Sequence, residues 1–125
     1  MLRHLAAFPK LKRLVLRGKG ITDDGLKHLV TLKELETLSL GGTSLSDAGM
    51  KHLAKLRNLK SLELAGAKLT GAGIRELAGL PNLQELSLIW SAIHDEALKH
   101  VRELKKLREL NLRKTIVSNA GLKHL

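Results

Sequence analysis

The sequence contains no cysteine and no tyrosine, and its aromatic residues are one phenylalanine and one tryptophan in 125 positions. The lack of cysteine excludes a disulfide framework and any metal site built on thiolates. No apolar run approaches the roughly 18 residues that a membrane-spanning helix needs, and the N-terminus lacks the basic stretch and apolar region of a signal peptide. These absences favour a soluble cytoplasmic protein with one core of aliphatic side chains, above all leucine.

The leucines recur with a fixed period of 24 residues, because the same phrase begins at Leu11, Leu35, Leu59, Leu83 and Leu107. The register is unbroken from end to end, which predicts a single repeat domain over residues 1–125. Its predicted parts are a partial repeat at residues 1–10, full repeats at 11–34, 35–58, 59–82 and 83–106, and a partial repeat at 107–125.

Each repeat begins with the phrase L-x-x-L-x-L, whose last two leucines alternate at period two and so share one face of a strand. The second half of each repeat changes to helical spacing, as at Leu26, Leu29 and Val30. Strands pair about 4.8 Å apart, whereas helices approach no closer than about 8–10 Å. A stack of such units must therefore curve, with its strands on the concave wall and its helices on the convex one.

The predicted helices share a start signal. A residue that can act as an N-cap precedes them, and an acid such as Asp23 or Asp47 suits the positive end of the helix that it begins. A glycine early in each helix predicts close packing at that point. The predicted caps are Thr22, Ser46, Thr70 and Ser118, with His94 in the fourth repeat, and the glycines are Gly25, Gly49, Gly73 and Gly121, with Ala97 as the exception.

The consensus L-x-x-L-x-L-x-x-[T/S]-x-[I/L]-[T/S]-D-x-G-L-K-x-L resembles a leucine-rich repeat, and the resemblance covers the entire chain. The segments "ITDDGL" and "LSDAGM" are similar to the cysteine-containing subfamily of F-box substrate adaptors and to bacterial arrays rich in "TDAGL", although no F-box is present. The resemblance implies an α/β leucine-rich repeat solenoid, a right-handed curved stack with a parallel sheet on its concave face. It also implies protein recognition on that face rather than catalysis.

A ligand in the concavity can touch only the outward strand residues and those just after each strand. In the middle repeats these positions are small, polar and slightly acidic, whereas the first and last repeats offer basic groups. This pattern favours an unidentified protein of mixed charge over a nucleic acid as the partner. The predicted partner-binding residues are Ser39, Ser61, Glu63, Glu85, Ser87, Ile89 and Trp90, flanked by Arg17, Arg113 and Lys114.

The role of the single tryptophan has two interpretations. Trp90 aligns with Gly18, Gly42 and Gly66 of the earlier repeats. An aromatic side chain above a trough floored by glycine resembles a binding anchor, and tryptophan is enriched where truncation costs about 2 kcal/mol or more of binding energy. Alternatively, the ring covers backbone and makes a cation–π contact with Lys114, worth about 0.5–1 kcal/mol.

Two columns of side chains run along the predicted convex face. Helical geometry turns the histidine column to solvent, and helices about 8–10 Å apart cannot bring together the three or four ligands that zinc needs, so no metal site is predicted. The basic column leaves an alternative function, the binding of a polyanion through counterion release. Against it stand the lack of interleaved aromatics and of any nucleic-acid motif. The columns are His4, His28, His52, His100 and His124, and Lys27, Lys51, Arg75, Lys99 and Lys123.

The sequence predicts no enzyme, no catalytic residue and no cofactor. Ser91, His94 and Asp95 are close along the chain, but closeness in sequence is not the geometry of a triad. The glycines after the strands match neither a dinucleotide-binding nor a phosphate-loop pattern.

The chain begins inside one predicted helix and stops inside another, without the polar caps that solenoids normally carry. This predicts end-to-end self-association through apolar side chains at the two ends. The side chains expected to be partly exposed there are Leu2, Leu5 and Phe8 at one end and Leu110, Leu112 and Val117 at the other.

Overall fold

The computed structural model describes residues 2–125, so the first residue of the predicted partial repeat lies outside the described part. Within it, five strands form one parallel sheet in the order of the chain. Neighbouring strands pair residues that are 24 positions apart, as in Arg13 with Thr37 and Ser61 with Glu85. The strands are β1 (Arg13–Arg17), β2 (Thr37–Gly41), β3 (Ser61–Glu63), β4 (Glu85–Ser87) and β5 (Glu109–Asn111).

A short helix follows each strand, which confirms the predicted alternation of strand and helix. The α-helices are α1 (Asp23–Leu26), α2 (Asp47–Leu53), α3 (Gly71–Leu77), α4 (Leu98–Val101) and α5 (Asn119–Leu122). Three segments of 3₁₀ helix complete the helical layer, at Leu2–Ala7, Lys27–Thr31 and Asp95–Ala97. Neighbouring helices lie farther apart than neighbouring strands, so the stack curves with the sheet as its inner, concave wall.

The core is aliphatic, as the composition predicts. The inward strand leucines Leu38, Leu62 and Leu86 are each 1% exposed, and they continue into the buried leucines of the helices. Their counterparts Leu14 and Leu110 are only partly buried because their strands lie at the two edges of the sheet. The repeated leucines therefore form one continuous core that links every repeat to the next.

The predicted apolar ends are only partly as expected. Leu2 is buried at 6% exposure, which corrects the expectation that it is partly exposed, because its side chain reaches the helix of the next repeat near Gly25. Phe8 is 58% exposed. Leu5, Leu110, Leu112 and Val117 are partly buried against the core.

The predicted N-caps are confirmed at Ser46, Thr70 and Ser118, whose side chains accept a hydrogen bond from the backbone N–H two residues later. Thr22 and His94 occupy the same position without such a bond. The contrast agrees with the weak capping expected of histidine, and it shows that a threonine at this position does not always cap.

The aspartates at the helix starts reach across to the following repeat. Asp47 accepts the backbone N–H of Thr70 at 2.8 Å and that of Gly73 at 3.0 Å, and it accepts the hydroxyl of Thr70 at 2.6 Å. Asp23 accepts hydrogen bonds from the backbone N–H and the hydroxyl of Ser46 in the same way. The sequence predicts a role for Asp23 only at the start of its own helix. The third such contact joins Asp95 to Ser118. We call this contact between successive repeats the aspartate clasp.

The early glycines make room for the clasp. A Cβ atom on Gly49, Gly73 or Gly121 would collide with the carboxylate that arrives from the preceding repeat. The predicted close packing is thus confirmed, and its neighbour is a side-chain carboxylate rather than a helix backbone.

The exceptions to this pattern occur together. Gly71 stands where the other three full repeats carry the clasp aspartate, and the next repeat lacks both the hydroxyl cap, at His94, and the glycine, at Ala97. That repeat begins its helical segment as a 3₁₀ turn at Asp95–Ala97. These three departures from the consensus therefore have one structural explanation, the absence of a carboxylate at position 71.

Candidate functional site

The structure distributes the ten predicted partner-binding residues unevenly. Exposed positions belong to the fourth strand and to the two flanks, while the polar residues of the middle strands are largely covered. The exposed residues are Arg17, Glu85, Trp90, Arg113 and Lys114, the partly buried ones are Ser61, Glu63, Ser87 and Ile89, and Ser39 is buried.

Ser39 acts through its neighbour. Its hydroxyl donates a hydrogen bond of 2.7 Å to Oε2 of Glu63, and its residue is 8% exposed. The direct contact with a partner that the sequence suggests for Ser39 stays a prediction. Ser39 holds the carboxylate of Glu63 in place on the wall.

A shallow groove of about 250 Å³ lies across β3, β4 and β5. Three carboxylates line it, from Glu63, Glu85 and Glu109, together with the side chain of Ile89. Within residues 2–125 no basic group lies within ion-pair distance of any of the three. The structure therefore brings an unpaired acidic cluster together beside an apolar side chain, in a chain whose net charge is +10.

Glu109 is absent from the residues predicted from the sequence. For the last repeat, the sequence analysis predicts only the basic residues Arg113 and Lys114, at the edge of the binding surface. Yet Glu109 stands 24 positions after Glu85 and pairs with it in the sheet. A comparison of the first outward strand position between repeats identifies Glu109 as the counterpart of Glu85.

The groove also contains a polar atom without a partner. The hydroxyl oxygen of Ser87 is buried and has no hydrogen-bond partner within the described chain. Buried polar groups in proteins are nearly always hydrogen-bonded, and an unmade bond costs about 1–3 kcal/mol.

The backbone of Trp90 adopts a conformation that suits glycine. Its φ is 61°, in the left-handed region, and the aligned Gly18, Gly42 and Gly66 have φ values of 109°, 64° and 77°. Lys114, at the same position of the last repeat, has a φ of 58°. The turn after each strand thus demands a positive φ, and a side chain there costs about 1–2 kcal/mol.

The indole of Trp90 is 66% exposed. The Nζ of Lys114 lies 5.7 Å from the ring centroid, so the cation–π contact suggested by the sequence is present. One lysine covers little of the ring, and most of the indole remains open to a partner.

Val15 and Ile116 are among the exposed apolar side chains that the sequence analysis did not predict. Ile116 is 59% exposed, and its backbone N–H donates to the carbonyl of Ile93, so it lies beside the loop that follows Trp90. Val15 is 51% exposed on the outward face of β1. A β-branched residue in a strand is typical of a core position, which explains why Val15 was missed.

The histidine column is less exposed than its helical spacing predicts. In this column His4 is exposed, and the other four histidines are partly buried. Burial lowers the pKa of His52, and the nearby Lys51 and Lys55 lower it further. No group of three potential ligands for a metal ion occurs in residues 2–125.

The basic column is exposed, as predicted, and is partly neutralised. Lys27 pairs with Asp24 at 2.7 Å, and Lys99 pairs with Glu96 at 2.9 Å. Among residues 2–125, no helix is long and apolar enough to cross a membrane.

Comparison with known proteins supports the same fold. A family model described as leucine rich repeat matches residues 33–93. An internalin (inlF) from Listeria monocytogenes is 25% identical with a TM-score of 0.81, over 98% of this chain and 35% of the internalin. The chain thus spans about a third of that protein. No curated protein matches it.

Two other solved structures are similar. Internalin C2 from Listeria monocytogenes is 25% identical with a TM-score of 0.67, over 94% of this chain and 56% of the internalin. Actin-binding site 2 of leiomodin-1 is 19% identical with a TM-score of 0.68, over 98% of this chain and 81% of that one, which shows the fold alone. Leucine-rich repeats generally mediate contacts between proteins and are typically not enzymes. From the strand register, the match to the family model over residues 33–93 and these similar structures, we conclude that the chain has the fold of a leucine-rich repeat solenoid.

Proposed function

We propose that this chain is a protein-recognition module whose partner binds the concave wall over β3, β4 and β5, with Trp90 as the main anchor. The observation that carries the proposal is an exposed indole on a strained backbone. The left-handed conformation costs about 1–2 kcal/mol, and the cation–π contact with Lys114 returns only about 0.5–1 kcal/mol. Fold stability therefore does not account for a tryptophan at this position.

Binding does account for it. Backbone strain tends to persist at functional sites, where the surrounding structure holds the residue in place. An exposed tryptophan beside an apolar neighbour is a typical hot spot, and its truncation costs about 2 kcal/mol or more of binding energy. Ile89 supplies the neighbour, since it lines the groove next to Trp90.

The convex face is a weaker candidate than the concave wall. The basic column is spread along separate helices, and two of its members are already paired with carboxylates. Polyanion binding through it would rest on charge alone, and would weaken steeply as salt rises.

The finer assignments rest on the repeat pattern. The repeat boundaries at 11–34, 35–58, 59–82 and 83–106 are supported by the strand pairing at 24 residues. Assignment to the "TDAGL" type is supported by the clasp, in which the aspartate and glycine of that motif meet across successive repeats.

A pull-down from a nuclease-treated extract at physiological salt tests the proposal. The immobilised chain is compared with a Trp90→Gly variant and with a Phe8→Ala variant, which removes another exposed aromatic side chain, away from the wall. We expect a protein that is retained by the parent chain and by Phe8→Ala, and lost with Trp90→Gly. Equal retention by all three chains, or retention only after nucleic acid is restored, would refute the proposal.

A further inference from the structure

We propose that the groove across β3, β4 and β5 binds an extended protein segment that places a lysine or arginine among its carboxylates and an apolar side chain against Ile89 and Trp90. This inference rests on the proposed function and adds the chemistry of the partner. It follows from the charge of the groove, from an unsatisfied hydroxyl within it and from the apolar side chains at its border.

The carboxylates are held close together without a counterion. Glu85 and Glu109 are register partners on adjacent strands, which lie about 4.8 Å apart. Like charges placed directly opposite each other in a sheet are destabilising. Glu63 adds a third carboxylate from β3, held by Ser39.

The chain neutralises carboxylates elsewhere on the same sheet. Glu36, just before β2, accepts ion pairs from Lys12 at 3.4 Å and from Lys60 at 2.7 Å. With 22 lysines and arginines available, the chain leaves the three groove glutamates unpaired within the described residues. A cationic group from a partner supplies the missing counterion.

The unpartnered hydroxyl of Ser87 is an independent indication of a ligand. In the sheet register Ser87 lies between Glu63 and Asn111, in the middle of the groove lining. A hydroxyl both donates and accepts, and an ammonium or guanidinium group carries three to five donors. Because the oxygen is enclosed below the groove surface, a basic side chain between the carboxylates satisfies it only when the Ser87 side chain rotates toward the groove.

The apolar side chains argue for a peptide rather than a small cation. Ile89 lines the groove and Trp90 follows it with most of its ring exposed. An extended segment turns alternate side chains in the same direction, so that a basic and an apolar residue two positions apart can reach the two parts of the site. A nucleic acid or an acidic segment would be repelled by the three glutamates.

Selection from a random peptide library tests the inference. The full chain is used as bait beside a Glu85→Gln/Glu109→Gln variant. A Glu76→Gln/Glu103→Gln variant serves as the control, because it changes net charge equally at exposed glutamates outside the groove. The groove variant should fold at least as well as the parent chain, since it relieves a like-charge contact.

We expect the parent chain and the control to enrich peptides with lysine or arginine two positions from an apolar residue. A selected peptide, titrated by fluorescence anisotropy at 150 mM salt, should bind the groove variant about tenfold more weakly or worse. Enrichment of neutral or acidic peptides, or equal weakening in both variants, would overturn the inference.

The Trp90→Gly variant separates this inference from the proposed function. If that variant loses the selected peptides while Glu85→Gln/Glu109→Gln keeps them, the wall remains the binding site and the assignment of a basic segment is wrong. If neither variant changes binding, both proposals are wrong.

Discussion

Replacing Trp90 by glycine should leave the protein at least as stable as it is. The substitution relieves a left-handed backbone conformation worth about 1–2 kcal/mol. It also removes the cation–π contact with Lys114, worth about 0.5–1 kcal/mol. The indole is two-thirds exposed, so little further packing is lost. The free energy of unfolding should therefore rise by about 0–1.5 kcal/mol.

The control for this prediction is Lys114→Gly. Lys114 occupies the same turn one repeat later with nearly the same φ, and its replacement removes the same cation–π contact. Both variants should therefore change stability by a similar amount. Only Trp90→Gly removes the indole, so only that variant should abolish partner binding.

Urea unfolding followed by far-UV circular dichroism measures the effect, because Trp90→Gly leaves no tryptophan for fluorescence. An increase in stability of 1 kcal/mol would move the midpoint by about 0.5 M. A loss of more than about 1 kcal/mol in Trp90→Gly, with no loss in Lys114→Gly, would exceed the cation–π contact. That result would show that the indole packs as part of the fold, and the interpretation of Trp90 as a binding anchor would be wrong.

Two further predictions concern the aspartate clasp. Gly73→Ala should destabilise the chain by about 1–3 kcal/mol, because the new methyl group meets the carboxylate of Asp47, whereas Gly25→Ala meets only a flexible leucine side chain and should cost less; similar urea midpoints for the two variants would contradict this. The pKa of Asp95 is held below its ordinary value by the backbone N–H of Ser118 and then by its hydroxyl. The stability that this contact contributes is complete above the ordinary pKa and is lost as pH falls through the lower folded value. Ser118→Ala should raise the pKa of Asp95 toward its ordinary value in a carbon-detected NMR titration, and an unmoved pKa would show that the hydroxyl does not act on the carboxylate.

The period of the leucines was sufficient to predict the fold. A spacing of 24 residues that changes from period two to helical spacing allows one economical arrangement, a stack of strand and helix units around a leucine core. The parallel sheet in chain order and the burial of Leu38, Leu62 and Leu86 confirm it. Such predictions succeed because they depend on averages over several repeats, in which one atypical residue changes little.

The contacts between repeats could not be predicted in the same way. Asp47 was expected at the positive end of its own helix, yet its carboxylate binds Thr70 and Gly73 of the next repeat. The groove is different, because the 24-residue period of the sequence already places Glu109 beside Glu85, and the strand pairing agrees with it. Sequence patterns therefore predict which residues align between repeats, but not which side chains cross from one repeat to bind the next.

The fourth repeat departs from the consensus in two ways that differ in kind. At the start of its helical segment, His94 and Ala97 depart together with Gly71 of the preceding repeat, so that no carboxylate arrives and none has to be accommodated. These changes compensate one another, and their explanation is structural. No other substitution compensates for Trp90, because its turn keeps the left-handed backbone conformation that glycine adopts in three other repeats. Local rules that are broken without a structural gain are most common at functional sites. This uncompensated departure is therefore the better guide to function, and it lies beside the groove whose carboxylates lack a counterion.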